Sequence, residues 1–222
     1  EQCEEWGLKL TGHLALEESL ISQIPTSGAC MPHYEYMHIP GMDWLGKRTY
    51  DCLTVRQVSS VAEQLGKKYV LAETFGLTGH NVSFSELKGI YEWQAVRGIN
   101  LLCQHLEGYS IRGMRKRDYP PAMYYQQPWW NEYKKFNDAI SRESMLLGEG
   151  VMCADILVIH PMTTAWTLYS GETEEIAKKD TALYDLNERF IQVITALEKK
   201  HRCFHLGDET IIERHAYVKD GK

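Results

Sequence analysis

Tyr69-Val70-Leu71-Ala72-Glu73-Thr74-Phe75-Gly76-Leu77-Thr78-Gly79-His80 decides how this chain is read. The apolar run after Lys67-Lys68 has the length of a buried parallel strand. It ends on an acid, Glu73, and passes into a Gly-rich polar turn that closes on His80. A carboxylate at the C-terminal end of a buried strand stands where (β/α) barrels carry their chemistry. Salt-bridging or capping of the next helix is the competing role for such an acid.

The same strand-then-helix rhythm runs outward in both directions. Upstream, residues 8–15 and 36–44 read as strands, the first leading to Gly12-His13 and the second to Asp43-Trp44. Between them and the central stretch, Thr54 and Gln57 have the spacing of a capping box. Val55, Val58, Val61 and Leu65 follow at helical spacing, and Gly66 closes that helix. Downstream, Ser83 and Glu86 form a second capping pair ahead of Leu87, Ile90 and Trp93. Residues 99–106 are the next strand, closing in Gln104-His105-Leu106-Glu107. Pro128 opens a long helix whose Trp129 and Trp130 read as core.

Strands 8–15, 36–44, 69–75 and 99–106 are therefore expected side by side and parallel, as half of a (β/α)8 barrel in residues 1–150. From residue 151 the pattern changes. Asp155-Ile156-Leu157-Val158-Ile159-His160-Pro161 is a buried strand, helices are expected at 173–179 and 182–200, and Cys203-Phe204-His205-Leu206 is a further strand. Strand, helix, strand reads as the start of a doubly wound α/β domain. No G-x-G-x-x-G or P-loop accompanies it, so no nucleotide is implied.

Composition narrows the function classes. In 222 residues the net charge is −6, and Arg112, Arg115, Lys116 and Arg117 form the one basic cluster, which argues against a nucleic-acid partner. No apolar stretch reaches the roughly 20 residues of a membrane span. Six cysteines without a C-x-x-C pair read as reduced, mostly buried thiols of a cytoplasmic protein. Glu1-Gln2-Cys3 begins inside a helix-like segment and Lys219-Asp220-Gly221-Lys222 is turn-like, so a piece of a longer protein is expected.

Polar and aromatic residues gather at every strand's C-terminal end, which is the main sequence argument for an active site. Glycoside hydrolysis needs two carboxyl groups, one protonating the leaving oxygen and one acting as base or nucleophile. Glu73 suits the second role. Glu107, Glu17 and Glu18 are candidates for the first, with Glu107 equally suited to holding sugar. His13, Asp43, Trp44, His80, Gln104, His105 and Glu107 are the candidate sugar-binding residues. No Cys/His spacing marks a metal centre, although Asp43, Glu73 and backbone carbonyls make calcium a candidate ion.

The run Ser59–Phe75 resembles the α-L-rhamnosidase-type enzymes of glycoside hydrolase family 106, as do Gly98-Ile99-Asn100 with His105, Gln127-Pro128-Trp129-Trp130 and Ala154-Asp155-Ile156-Leu157. The resemblance covers most of residues 5–160. It implies a barrel glycosidase acting on a carbohydrate, followed by a flavodoxin-like or glutamine-amidotransferase-like accessory domain. It also implies a large multidomain protein, and export as the alternative to a cytoplasmic location. If residues 99–106 are the last barrel strand, Glu73 lies on the seventh, Asp43 on the sixth and His13 on the fifth. The fourth strand, a frequent site of the partner acid in barrel glycosidases, would precede residue 1. A half-barrel exposes two sheet edges, so a homodimer through those edges is expected. A non-catalytic carbohydrate-binding or structural barrel is the rival reading.

Overall fold

The computed structural model describes residues 2–106, 108–171 and 181–218. Its order is α1 (Gln2–Glu5), β1 (Thr11–Gly12), α2 (Leu20–Ser27), α3 (Met31–Tyr34), β2 (Ile39–Trp44), α4 (Leu53–Gln64), β3 (Leu71–Thr74), α5 (Phe84–Ala95), β4 (Leu101–Gln104), α6 (Tyr133–Gly148), β5 (Ile156–His160), α7 (Met162–Leu168), α8 (Ala182–Lys199), β6 (Phe204–Asp208) and α9 (Glu209–His215). Strands β1 to β4 form one parallel sheet in chain order, and β5 and β6 pair parallel in a second. The expected neighbour relations of the first four strands hold, though β1 is only two residues long. The helix expected at 173–179 falls outside the described residues. Among the described residues no helix is long and apolar enough to cross a membrane.

Helix α5 starts where its sequence says. Ser83 accepts from the Glu86 N–H while the Glu86 carboxylate accepts from the Ser83 N–H at 2.8 Å, a complete capping box. Helix α4 departs from expectation. It begins at Leu53 with Cys52 before it, and no side chain caps it. The Gln57 amide is drawn into the core instead, donating to the Glu17 carbonyl at 2.9 Å and accepting from Gln23 at 2.8 Å. A fully buried amide must satisfy its groups locally, and here tertiary partners outcompete the helix end.

Helix α4 is buried on all sides from Leu53 to Ala62, although its composition is half polar. One face packs on β2 and the other on β6. Ser60 Oγ accepts from the Leu206 N–H at 2.9 Å, and Gln64 donates to the Leu206 carbonyl at 2.8 Å. The two sheets thus share one helix, and a single apolar cluster runs from Leu20 and Met42 through Val58 to Phe204 and Ile211. Gly98 permits the next close approach: its φ is +108°, and a Cβ there would lie 2.7 Å from Ser59 Cβ.

A charged knot pins α8 to the first sheet's helices. Glu198 receives Arg56 on one carboxylate oxygen and Arg97 on the other, the latter at 2.7 Å. The two guanidinium groups lie over Phe204 and Trp93, at 4.9 and 4.2 Å from the ring centroids. Removing one member strands the others away from water, which costs more than an exposed pair would. Glu198→Gln is expected to lower unfolding stability by about 3 kcal/mol. Denaturant titration measures it, and a loss below about 0.5 kcal/mol would make the knot no more than a surface contact.

All six thiols are free. Cys30 and Cys52 are buried, whereas Cys153 and Cys203 are exposed and Cys3 and Cys103 partly so, which corrects the expectation of mostly buried thiols. Trp129 and Trp130 join Phe84, Tyr133 and Phe136 in an aromatic cluster beneath α6, as their reading as core requires.

Candidate functional site

Register decides which rim residues meet. Asp43, Glu73 and Cys103 are direct partners across β2, β3 and β4, so their side chains leave the sheet on one face. His105 follows Cys103 by two residues and continues that face, its N–H bonded to the Thr74 carbonyl at 2.7 Å. His13, just beyond β1, arrives from the other side.

Glu73 sits at the centre. Its Oε2 lies 2.8 Å from His13 Nε2, and its Oε1 lies 4.0 Å from His105 Nε2. The Nδ1 of His13 lies 2.8 Å from the Leu14 carbonyl. Both ring nitrogens of His13 thus face oxygens, an arrangement that favours the protonated ring. Burial alone would lower the His13 pKa. The Leu14 carbonyl, Glu73 and Asp43 outweigh burial and raise it. Asp43 is pushed up chiefly by burial, with the neighbouring Glu73 charge adding to the effect and His13 and His105 opposing it. Burial also raises the Cys103 thiol, assisted by the Glu73 charge.

The chain beyond Glu73 is held in uncommon backbone. Phe75 has φ +84° and Leu77 φ +61°, both left-handed without being glycine. Such residues each store on the order of 1–3 kcal/mol and persist only where packing dictates them. Phe75 is fully buried against Phe136. Between them Gly76 gives room to His105, because a Cβ there would stand 2.9 Å from the imidazole Cγ. His105 stacks on Tyr119 with ring centroids 5.4 Å apart.

Glu17 is a neighbour the rim pattern underrated. It is 2% exposed and accepts from Tyr34 Oη and the Leu14 N–H, both at 2.9 Å. Burial pushes its pKa up to about 7 against those bonds and one from the Asp43 N–H. It fastens the loop after β1 behind Asp43. Its pairing with Tyr34 depends on residues brought together from two loops, so no local motif announces it. Cys103 was also missed, and period-two spacing from His105 is the signal that marks it.

Two expected sugar contacts face away from Glu73. Trp44 is 1% exposed, stacked on Trp93 at 4.9 Å, with its indole N–H given to the Arg48 carbonyl. Gln104 donates to Asn137 of α6 at 2.9 Å. Both follow from alternation: Trp44 adjoins Asp43 and Gln104 adjoins His105, so each pair splits across the sheet. His80 stays near the rim but does not touch Glu73; its Nε2 lies 3.0 Å from the Lys116 carbonyl. Glu107 falls outside the described residues.

Calcium takes six to eight oxygen ligands. One oxygen of Glu73 lies 2.8 Å from His13 Nε2, and among the described residues no three His, Cys, Asp or Glu side chains gather to hold a metal ion. No step below passes through calcium.

No family model matches the sequence, and no curated protein matches it. Among solved structures the chain is similar to a rhamnosidase from Novosphingobium sp. PP1Y, with a TM-score of 0.60 and 22% identity over 73% of this chain. The chain spans 17% of that protein's length, and at this identity the likeness is one of fold: parallel α/β architecture.

Proposed function

We propose that these residues form part of the active site of a glycoside hydrolase acting on O-glycosidic bonds, α-L-rhamnosides foremost. The observation that carries the reading is Glu73 at the C-terminal rim of parallel strands, in register with Asp43 and flanked by His13 and His105. The fold likeness to a rhamnosidase supports it. In this reading the four-stranded sheet is the second half of a (β/α)8 barrel, and β5 with β6 begins a flavodoxin-like domain.

Glu73 acts as base on water or as nucleophile at the anomeric carbon. His13, 2.8 Å from its Oε2, holds that carboxylate in place. Asp43, whose burial favours the protonated form, and His105 hydrogen-bond sugar hydroxyls. Glu17 is walled off from solvent, which leaves Glu18, Glu107 or chain outside these residues to supply the partner acid. Hydrolysis of aryl α-L-rhamnosides by the intact protein, with the Glu73→Gln variant as control, tests the reading. Sugar binding without any turnover would favour the non-catalytic barrel.

Among the described residues β1 and β4 each have one unpaired side, and a groove of about 510 Å³ runs between β4 and α6. Exposed strand edges favour pairing with another chain. The 222-residue chain is expected to form a homodimer through them, without aryl-rhamnosidase activity of its own. Light scattering across a concentration series checks this, and a monomer at high concentration overturns the association.

A further inference from the structure

We infer that the cavity between His105 and the basic turn Gly113–Arg117 is a subsite for an anionic group, carboxylate or sulfate, carried by the glycan whose bond Glu73 attacks. The inference rests on the reading above and adds to it the charge class of the substrate.

The cavity measures about 170 Å³, and His80, His105, Arg115, Lys116, Asp118 and Pro120 are among the residues lining it. At about 30 Å³ per water it has room for roughly five, enough for a charged substituent and its nearest ring atoms rather than a whole glycan. It adjoins the proposed reaction centre through one imidazole. The Nε2 of His105 lies 4.0 Å from Glu73 Oε1, while the same ring walls the cavity. The Nδ1 of His105 is buried and has no hydrogen-bond partner among the described residues. Arg115 and Lys116 bring N–H donors to the same lining.

The loop is tied down over the rim. The His80 imidazole contacts the Lys116 carbonyl at 3.0 Å, and the Gly79 N–H donates to the Pro120 carbonyl at 3.0 Å. Arg112, Arg115, Lys116 and Arg117 stand against the single acid Asp118 in this segment, in a chain of net charge −6. Among the described residues none of these four cations forms an ion pair, in contrast with Arg56, Arg97 and Arg214, each engaged by a glutamate. A solvated charge run would serve solubility alone. It would have no reason to enclose a cavity that shares the His105 ring with the proposed reaction centre. An anionic glycan approaching the Glu73 carboxylate meets like charge, and a cationic rim offsets that repulsion and steers the substrate in. Guanidinium binds a planar carboxylate through two parallel hydrogen bonds. Tyr119, stacked on His105 and 42% exposed, offers a face for the ring that carries the anion.

Calorimetric titration of the full chain with trigalacturonic acid, its methyl ester, galactose 6-sulfate and galactose tests the site without requiring turnover. At least one anionic sugar is expected to bind tenfold or more tightly than its neutral form, and the pair that shows the difference identifies the anion. The Arg115→Ala/Lys116→Ala double variant is expected to abolish the difference with an unchanged circular dichroism spectrum. Lys134→Ala/Lys135→Ala, which removes exposed cations elsewhere, and Glu73→Gln are both expected to keep it. Equal binding of charged and neutral forms by the wild-type chain overturns the proposal. So does a difference that survives the Arg115/Lys116 change, or one lost equally on changing Lys134 and Lys135. Loss of the anion preference leaves the Glu73 kinetics standing, and a fully active Glu73→Gln enzyme leaves the subsite standing, so the two readings fail separately.

Discussion

Replacing Glu73 by Gln in the intact protein is expected to lower kcat on an aryl α-L-rhamnoside by about three orders of magnitude or more, with KM changed by less than about fivefold. A carboxylate that takes a proton from water, or bonds to the anomeric carbon, contributes in the transition state and little in the ground state. Its loss therefore falls on kcat. The amide keeps the shape, and its carbonyl oxygen still accepts from His13 Nε2, the contact that spans 2.8 Å in the native site. The His13 side chain is moreover 32% exposed, so a protonated ring that loses its partner carboxylate keeps contact with water. The melting temperature is expected to stay within about 3 °C, because surface changes away from the core alter stability little. Steady-state kinetics with a thermal melt on the same preparation separates the two quantities. Turnover within tenfold of wild type would remove Glu73 from the chemistry and leave it as an anchor for His13.

The second large effect concerns acid stability and lies far from the rim. His160 ends β5 opposite Asp208 of β6, is wholly buried, and rests edge-on against Phe190 at 5.4 Å. Neither ring nitrogen has a hydrogen-bond partner among the described residues. Burial pushes its pKa down to about 3, with the Glu209 charge opposing. Above pH 6.5 the ring is neutral in folded and unfolded chains alike, and stability does not depend on its titration. As pH falls below 6.5 the unfolded chain takes up a proton that the folded chain refuses until about pH 3. Stability is lost across that window at up to about 1.4 kcal/mol per pH unit. Between pH 7 and pH 4 the loss from this residue amounts to roughly 3 kcal/mol. His160→Leu removes the titration and fits an apolar wall. Urea unfolding of both proteins at several pH values is expected to show the variant gaining on wild type by that amount as the solution is acidified. Parallel stability curves would mean that the ring finds a proton acceptor or water in the folded chain.

Local signals carried much of the fold. The apolar run before Glu73, the Ser83/Glu86 pair and the glycines at 66 and 98 mark a strand, a helix start and two helix ends, each set by interactions within a few residues. Repetition of that unit implied parallel neighbours in chain order, as β1 to β4 are. Glu73 and His13 were legible as rim residues because each stands at the C-terminal end of a strand, Glu73 in its last two residues and His13 just beyond. Pairing Thr54 with Gln57 failed, since the same spacing that makes a cap also places Gln57 where Gln23 and Glu17 reach it.

The sequence by itself determined the alternation of strand and helix and the collection of acids, imidazoles and aromatics at the strands' C-terminal ends. Periodicity and turn chemistry are local, and they survive without knowledge of any partner. Only the tertiary structure decided which of those side chains share a face. Asp43 meets Glu73 while Trp44 meets Trp93, because a shift of one residue in register would exchange them. It also decided that the polar side of α4 is interior. Arg56 and Ser60 are covered by Glu198 and by Leu206 of β6, partners that lie 142 and 146 residues along the chain. Burial of that kind is a property of which surfaces meet, and no window of sequence contains both of them.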